Sequence, residues 1–178
     1  MNAIVVSDPA FPATFPHQVA PRPDEWLAGL LLRCDEMNGW RCGTTFIHLF
    51  HPASSNTLVV VPEPILANLA QLLVIPKEIL FQTTYQSELT HLYGTSKFPA
   101  GLLSRPSRCH FCPVCVAENR MLKRTLMLAH LTACPQHQVT FVSTCPCGNT
   151  QRLFSIQTQP FTCDRCGLDW KQFPGGRC

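Results

Sequence analysis

Four closely spaced pairs of metal-ligating side chains in the carboxy-terminal part of this chain constrain its fold more than any other feature. Cys112-Pro-Val-Cys115 is followed after 18 residues by Cys134-Pro-Gln-His137, and Cys145-Pro-Cys147 after 15 residues by Cys163-Asp-Arg-Cys166. Two ligands a few residues apart on a tight turn can grip one metal ion, and a second pair across a hairpin completes the tetrahedron that zinc prefers. Each constellation offers four protein ligands and leaves no position for water or substrate, which marks a structural site rather than a catalytic one. Two structural zinc ions are therefore expected. Sequential pairing is favoured by the short Phe141–Thr144 link, while an interleaved pairing of the four ligand pairs stays open.

The other cysteines fit the same reading. Eleven occur in 178 residues, and eight of them fall from Cys109 to Cys166. Met1 to Pro16 is apolar and punctuated by prolines, without the basic start of a secretory signal. No stretch reaches the ~20 apolar residues of a membrane span. A cytoplasmic protein is expected, and an odd cysteine count in a reducing compartment argues for metal ligation over disulfides. Cys34, Cys42 and Cys178 read as small buried apolar residues. Cys109, three residues before Cys112, is the one alternative ligand for the first site. His110 and His130 read as surface or packing residues.

Charge divides unevenly along the chain. Residues 1–100 hold 5 Lys/Arg against 8 Asp/Glu, a balance of −3, whereas residues 101–178 hold 9 against 3, a balance of +6. Seven metal-bound thiolates and two zinc ions bring the second figure to about +3 and the whole chain near neutrality. That is not the profile of a protein whose affinity rests on neutralising phosphates. Arg120, Lys123 and Arg124 nevertheless form a compact basic group between the first two ligand pairs, a candidate nucleic-acid contact as well as an ordinary solvated surface. Enzyme signatures are missing. No histidine is followed two residues later by Glu, as a zinc deaminase requires, and there is no H-E-x-x-H, phosphate-binding lysine loop or G-x-S-x-G.

Residues 1–20 read as an irregular arm, because Pro9, Pro12 and Pro16 exclude a helix interior. A mainly helical domain is expected over 21–100. Asp24 suits a helix N-cap, Trp26, Leu27, Leu30, Leu31, Cys34 and Met37 recur at helical spacing, and Asn38-Gly39 forms the stop. A second helix is expected from Thr44 to Phe50, then a polar loop over 52–56. Behind Pro64, the spacing of Ile65, Leu66, Leu69, Leu72 and Leu73 predicts a third helix. Val74-Ile75-Pro76 breaks it, and a new helix over Lys77 to Tyr85 would complete a helix-turn-helix, or else one corner of a generic helical bundle. Such a second helix is a poor reader of DNA, with one Lys, one Glu and no Arg or Asn to bond base edges. A connector over 94–106 then leads to tandem zinc-finger or zinc-ribbon modules over 107–178, spanning 112–137 and 145–166. Short β-hairpins are expected there, from the apolar alternation in Thr125–Leu131 and Gln138–Val142.

The ordered run Cys112-Pro-Val-Cys115, Leu131-Thr-Ala-Cys134-Pro-Gln-His137 and Cys145-Pro-Cys147-Gly148 resembles the TniQ family of transposon target-selection proteins. Glu25-Trp-Leu27, Leu31, Arg33 and Asn38-Gly39 look like that family's amino-terminal opening, and the helix-turn-helix candidate stands where the family has one. The resemblance covers about residues 21–170. Two departures stand out: Leu126 where a Trp is usual, and the tighter Cys145-Pro-Cys147 in place of C-x-x-C.

The resemblance implies a prokaryotic, non-enzymatic adaptor that connects target recognition to the AAA+ transposition regulator TnsC. Since the chain stops about a dozen residues after Cys166, it is similar to the short members that accompany CRISPR-associated transposons. Its implied partners are then TnsC, a CRISPR effector complex with its guide RNA, and, weakly, target DNA. The alternative is a zinc-containing transcription regulator that reads DNA directly. Partner recognition in the adaptor reading would rest on aromatic anchors, for which Trp40, Phe50, Phe81 and Tyr85 are the candidates.

Overall fold

The computed structural model describes residues 12–50, 58, 61–93, 109–155 and 158–175. Among them, the helices are α1 (Leu27–Met37), α2 (Thr44–Phe50), α3 (Glu63–Leu73), α4 (Lys77–Phe81), α5 (Gln86–Tyr93) and α6 (Pro113–Asn119), with short 3-10 turns at Arg124–Met127 and Trp170–Gln172. No helix of the described residues is long and apolar enough to cross a membrane. The predicted polar loop over 52–56 and the connector over 94–106 lie outside the described residues.

Helix α1 is the centre of the molecule, buried continuously from Leu27 to Asp35. It ends as expected, with Asn38 at its C-cap and Gly39 in the left-handed region at φ 67°. Its start differs. Asp24 does not cap the helix but takes a left-handed φ of 60°. Carbonyls distant in sequence do the capping instead: Trp26 N–H donates to Leu122 O at 2.8 Å and Leu27 N–H to Thr83 O at 2.9 Å. With its first donors satisfied by tertiary partners, the helix needs no side-chain cap.

Three polar anchors fix the surroundings of α1. Arg33 donates to both carboxylate oxygens of buried Glu25, at 2.7 and 2.8 Å, and to Ala20 O at 2.8 Å. Glu25 in turn accepts from Arg22 N–H. This pins the end of the amino-terminal arm, whose residues 12–20 are non-helical yet bury Phe15 and Val19. Buried Asp35 accepts from Gly43 N–H at 2.7 Å, and from Thr45 N–H and hydroxyl at 2.9 and 2.6 Å. It thereby holds the free donors at the start of α2.

Helix α3 begins with Pro64 in its first turn and buries Leu66, Leu69, Leu72 and Leu73. Val74 at φ 55° terminates it, and α4 follows after two residues, giving the helix–turn–helix succession. The helix expected over Lys77 to Tyr85 is cut short. α4 stops at Phe81 because the Thr83 and Thr84 hydroxyls donate back to Leu80 O and Phe81 O, at 2.6 and 2.9 Å, offering the chain a turn in place of helix. The Thr84 hydroxyl then accepts from Gln86 N–H as α5 begins.

Around and beyond α6, the strand pairing among the described residues is confined to isolated antiparallel bridges: Glu25 with Lys123, Phe111 with Val142, Ala133 with Thr140, Thr144 with Thr150, and Thr162 with Asp169. The strand expected over Thr125–Leu131 is not formed. Arg124–Met127 is a 3-10 turn whose donors are satisfied three residues back, Leu126 N–H on Lys123 O and Leu128 N–H on Thr125 O. Leu122 and Leu126, four apart, face the core.

One apolar core joins the two halves. Leu27, Leu30, Leu31 and Leu66 belong to the same buried cluster as Phe111, Leu122, Phe161 and Trp170. The backbones of the two halves come close at Gly29, where a Cβ would stand 2.9 Å from Leu122 N. Glycine here lets α1 lie directly on the chain that leads out of α6.

Candidate metal centres

Each ligand pair sits on a local turn that the sequence builds for it. Cys112 is the N-cap of α6 and Cys115 lies in its first turn, started by Pro113. Opposite, Cys134 N–H donates to Val139 O and Gln138 N–H returns to Cys134 O, both at 2.8 Å, with Gln138 at φ 52°. The second centre repeats this turn at Cys163 and tightens it by one residue at Cys145. Gly148 N–H donates to Cys145 O at 2.8 Å and Gly167 N–H to Cys163 O at 2.9 Å. Both glycines hold positive φ, 82° and 73°, a conformation open to glycine without strain.

The structure groups the ligands sequentially. Cys112, Cys115, Cys134 and His137 form one cluster and Cys145, Cys147, Cys163 and Cys166 the other, with ligand atoms within 4.8 Å of one another in each. In the first, His137 Nδ1 lies 3.4, 3.3 and 3.5 Å from the Cys112, Cys115 and Cys134 sulfurs, and the Cys115 and Cys134 sulfurs are 3.7 Å apart. In the second, the Cys145–Cys166 and Cys147–Cys163 sulfur separations are 3.5 and 3.7 Å. Four ligands at ~2.3 Å from a tetrahedral ion stand roughly 3.8 Å from each other. Both clusters therefore fit a metal ion without rearrangement. Cys109 is not in either cluster; it is buried in the core, where desolvation pushes its thiol well above the ordinary range. Cys34 and Cys42 are likewise buried, Cys42 being raised to about 12 by burial. Neither His110 nor His130 joins a cluster.

Around the ligands stand residues that sequence reasoning did not single out. Glu118 places a carboxylate oxygen 3.2 Å from His137 Nε2, leaving Nδ1 to face the three sulfurs. Gln151 is buried beside the second cluster with its side-chain amide 3.5 Å from the Cys163 sulfur. Burial opposes ionisation of Cys163, yet N–H groups of Cys166, Arg165 and Gln151 outweigh it and lower the thiol to about 6. Glu118 carried a faint signal, lying one helical turn after Cys115. Gln151 carried none, since nothing local says that a glutamine will be buried.

The basic group is largely engaged within the protein. Arg120 pairs with Glu36, donates to both Asp169 oxygens at 2.8 and 2.9 Å, and lies over the Phe161 ring at 4.8 Å. Arg124 donates to Thr84 O and Glu88, each at 2.7 Å, and lies over the Tyr85 ring at 4.9 Å. Lys123 donates to Gln136. Of the aromatic candidates, Phe50 is only 1 % exposed and belongs to the core, so it offers no surface anchor. Trp40, Phe81 and Tyr85 are half-buried against that core, Trp40 edge-on to Phe15 at 5.3 Å.

Comparison with known proteins gives one family. The TniQ family model matches residues 16–141, which take in the end of the arm, the six described helices and the complete first cluster. No curated protein matches the chain.

Proposed function

The chain belongs to the TniQ family of transposition-associated proteins, and from that premise we propose that it is a non-enzymatic target-selection adaptor acting in the prokaryotic cytoplasm. In this reading it links a target-bound complex, a CRISPR effector with its guide RNA, to the AAA+ regulator TnsC. Both clusters hold zinc, the metal that four-ligand Cys₃His and Cys₄ sets suit best, and a closed shell gives each ion a structural task.

The surface of the α3–α4 turn carries this reading. Val74 is 68 % and Ile79 38 % exposed, and Ile75 and Phe81 in the same stretch of chain are half-buried. The only basic side chain on α4, Lys77, is paired with Glu63. Where a DNA-reading helix would present Arg or Asn to base edges, this one presents Ile79, with Val74 in the turn before it, exposed apolar surface of the kind a protein partner covers. The engagement of Arg120 and Arg124 inside the molecule favours the same conclusion.

The test is recruitment of purified TnsC and effector by the parent chain and by a Val74→Ser/Ile79→Ser double variant, beside duplex-DNA shifts over a salt series. The double variant should lose recruitment with its metal content intact. Tight, sequence-selective DNA binding by the chain alone at physiological salt would instead establish a direct DNA reader.

A further inference from the structure

Gln151 is a polar side chain 1 % exposed, yet every polar atom it owns is used. Its backbone N–H donates to Ser143 O at 2.7 Å and its carbonyl accepts from Cys109 N–H at 3.3 Å. Its side-chain oxygen accepts from the Trp170 indole at 3.2 Å. The side-chain nitrogen donates to Asn149 O at 2.8 Å and points to the Cys163 sulfur at 3.5 Å. An indole N–H can only donate, so Trp170 fixes which end of the amide is oxygen. The nitrogen is thereby forced towards sulfur.

Cys163 is the most heavily served sulfur described. Besides Gln151 it receives Arg165 N–H at 3.4 Å and the Asn149 amide at 3.9 Å. A Cys₄ set around a divalent ion carries two negative charges where a Cys₃His set carries one. The second cluster thus has the greater need of N–H donors to spread thiolate charge.

We propose that Gln151 is a positioning residue of the second metal centre: locked by Trp170, it donates to Cys163 and orients that sulfur towards the other three of its cluster. The proposal rests on the metal reading of the clusters. The same glutamine joins that centre to the floor of the first, because Trp170 stacks on Phe111 at 4.5 Å, immediately before Cys112.

The experiment compares the parent chain with Gln151→Met, which keeps the shape and removes the donor. Zinc release is followed against a graded chelator, and sulfur-to-cobalt charge-transfer bands are recorded after cobalt loading. The variant should release one of its two zinc ions at roughly 10- to 100-fold weaker affinity, the other unchanged. Its charge-transfer bands should move to lower energy, a change that loss of packing alone does not produce. Zinc release and cobalt bands equal to the parent's would overturn the proposal. A parent chain that binds no metal at the second cluster would overturn the metal reading itself. Should the variant not fold, the cadmium-113-loaded parent decides: a Gln151 side-chain amide proton should correlate with the metal through the N–H···S bond, and its failure to do so refutes the role.

Discussion

Arg120 Nη1 and the Asp169 carboxylate meet at 2.8 Å across 49 residues, closing the end of α6 onto the 3-10 turn that follows the second cluster. Because the same guanidinium also holds Glu36 just before the end of α1, one side chain ties three segments together. Arg124 does the same for Asp24, Thr84 and Glu88.

Arg120→Ala is therefore expected to destabilise the chain by about 1–3 kcal/mol, since two carboxylates are left facing a vacated site. Lys123→Ala, which removes only a surface contact, should stay within about 0.5 kcal/mol of the parent. Chemical unfolding of the two variants checks this. Equal small effects would return Arg120 to the solvated surface.

Elemental analysis of the intact chain should find two zinc ions. Cys112→Ser and Cys163→Ser should each lose one, and each local turn with it, because ligand binding supplies the folding energy of so small a unit. Cys109→Ser should keep both ions while costing about 1–3 kcal/mol for a buried hydroxyl. Loss of an ion in the Cys109 variant would mean that the first centre is wrongly assigned.

What could be read from the sequence was what neighbouring residues decide. The two four-residue clusters of Cys and His, the α1 and α3 stripes, the limits of α2 and the stop at Asn38-Gly39 all follow from short spacings. The rest depends on partners far along the chain. Asp24 looked like a cap, but the capping carbonyls come from Leu122 and Thr83. Arg120 and Arg124 looked like a patch on a surface, yet their carboxylates sit on α1, on α5 and beyond Cys166. The end of α4 was the exception. Thr83 and Thr84 stand in plain view there, and their turn-forming hydroxyls outweighed the apolar periodicity.

Gly29→Ala sets two effects against each other. An alanine inside α1 gains about 1 kcal/mol of helix propensity. Its Cβ, however, would meet Leu122 N at 2.9 Å and Leu122 Cβ at 3.0 Å, atoms held by the Trp26–Leu122 hydrogen bond. Overpacking of this kind costs about 1–3 kcal/mol, and a net loss of stability is expected in urea unfolding. A more stable variant would show that this contact yields easily.

Asp35 gives the chain a pH dependence of definite sign. Burial raises its carboxyl from 3.8 to about 6, against the Thr45 and Gly43 hydrogen bonds that pull it down. The folded chain then binds this proton more tightly than the unfolded one. The resulting stabilisation is complete below the unfolded value and lost as pH rises through about 6. Its full size is roughly 3 kcal/mol, of which a little under half disappears between pH 5 and 7. The stability difference between the parent and Asp35→Asn, measured with zinc in excess, should shrink by that amount over this interval. A constant difference would place the Asp35 titration elsewhere.

The hydrogen bond from Trp26 to Leu122 has a consequence for how the protein is made. The first donor of the central helix has its partner 96 residues downstream, which a ribosome adding ~5–20 residues per second reaches only after roughly 5–20 s. Until then Leu27, Leu30 and Leu31 lack the cover that Leu122 and Phe111 later provide. The Cys112, Cys115, Cys134 and His137 cluster is completed in the same late interval of synthesis. The apolar face of α1 therefore waits for its downstream cover until the segment that carries the first cluster has been made.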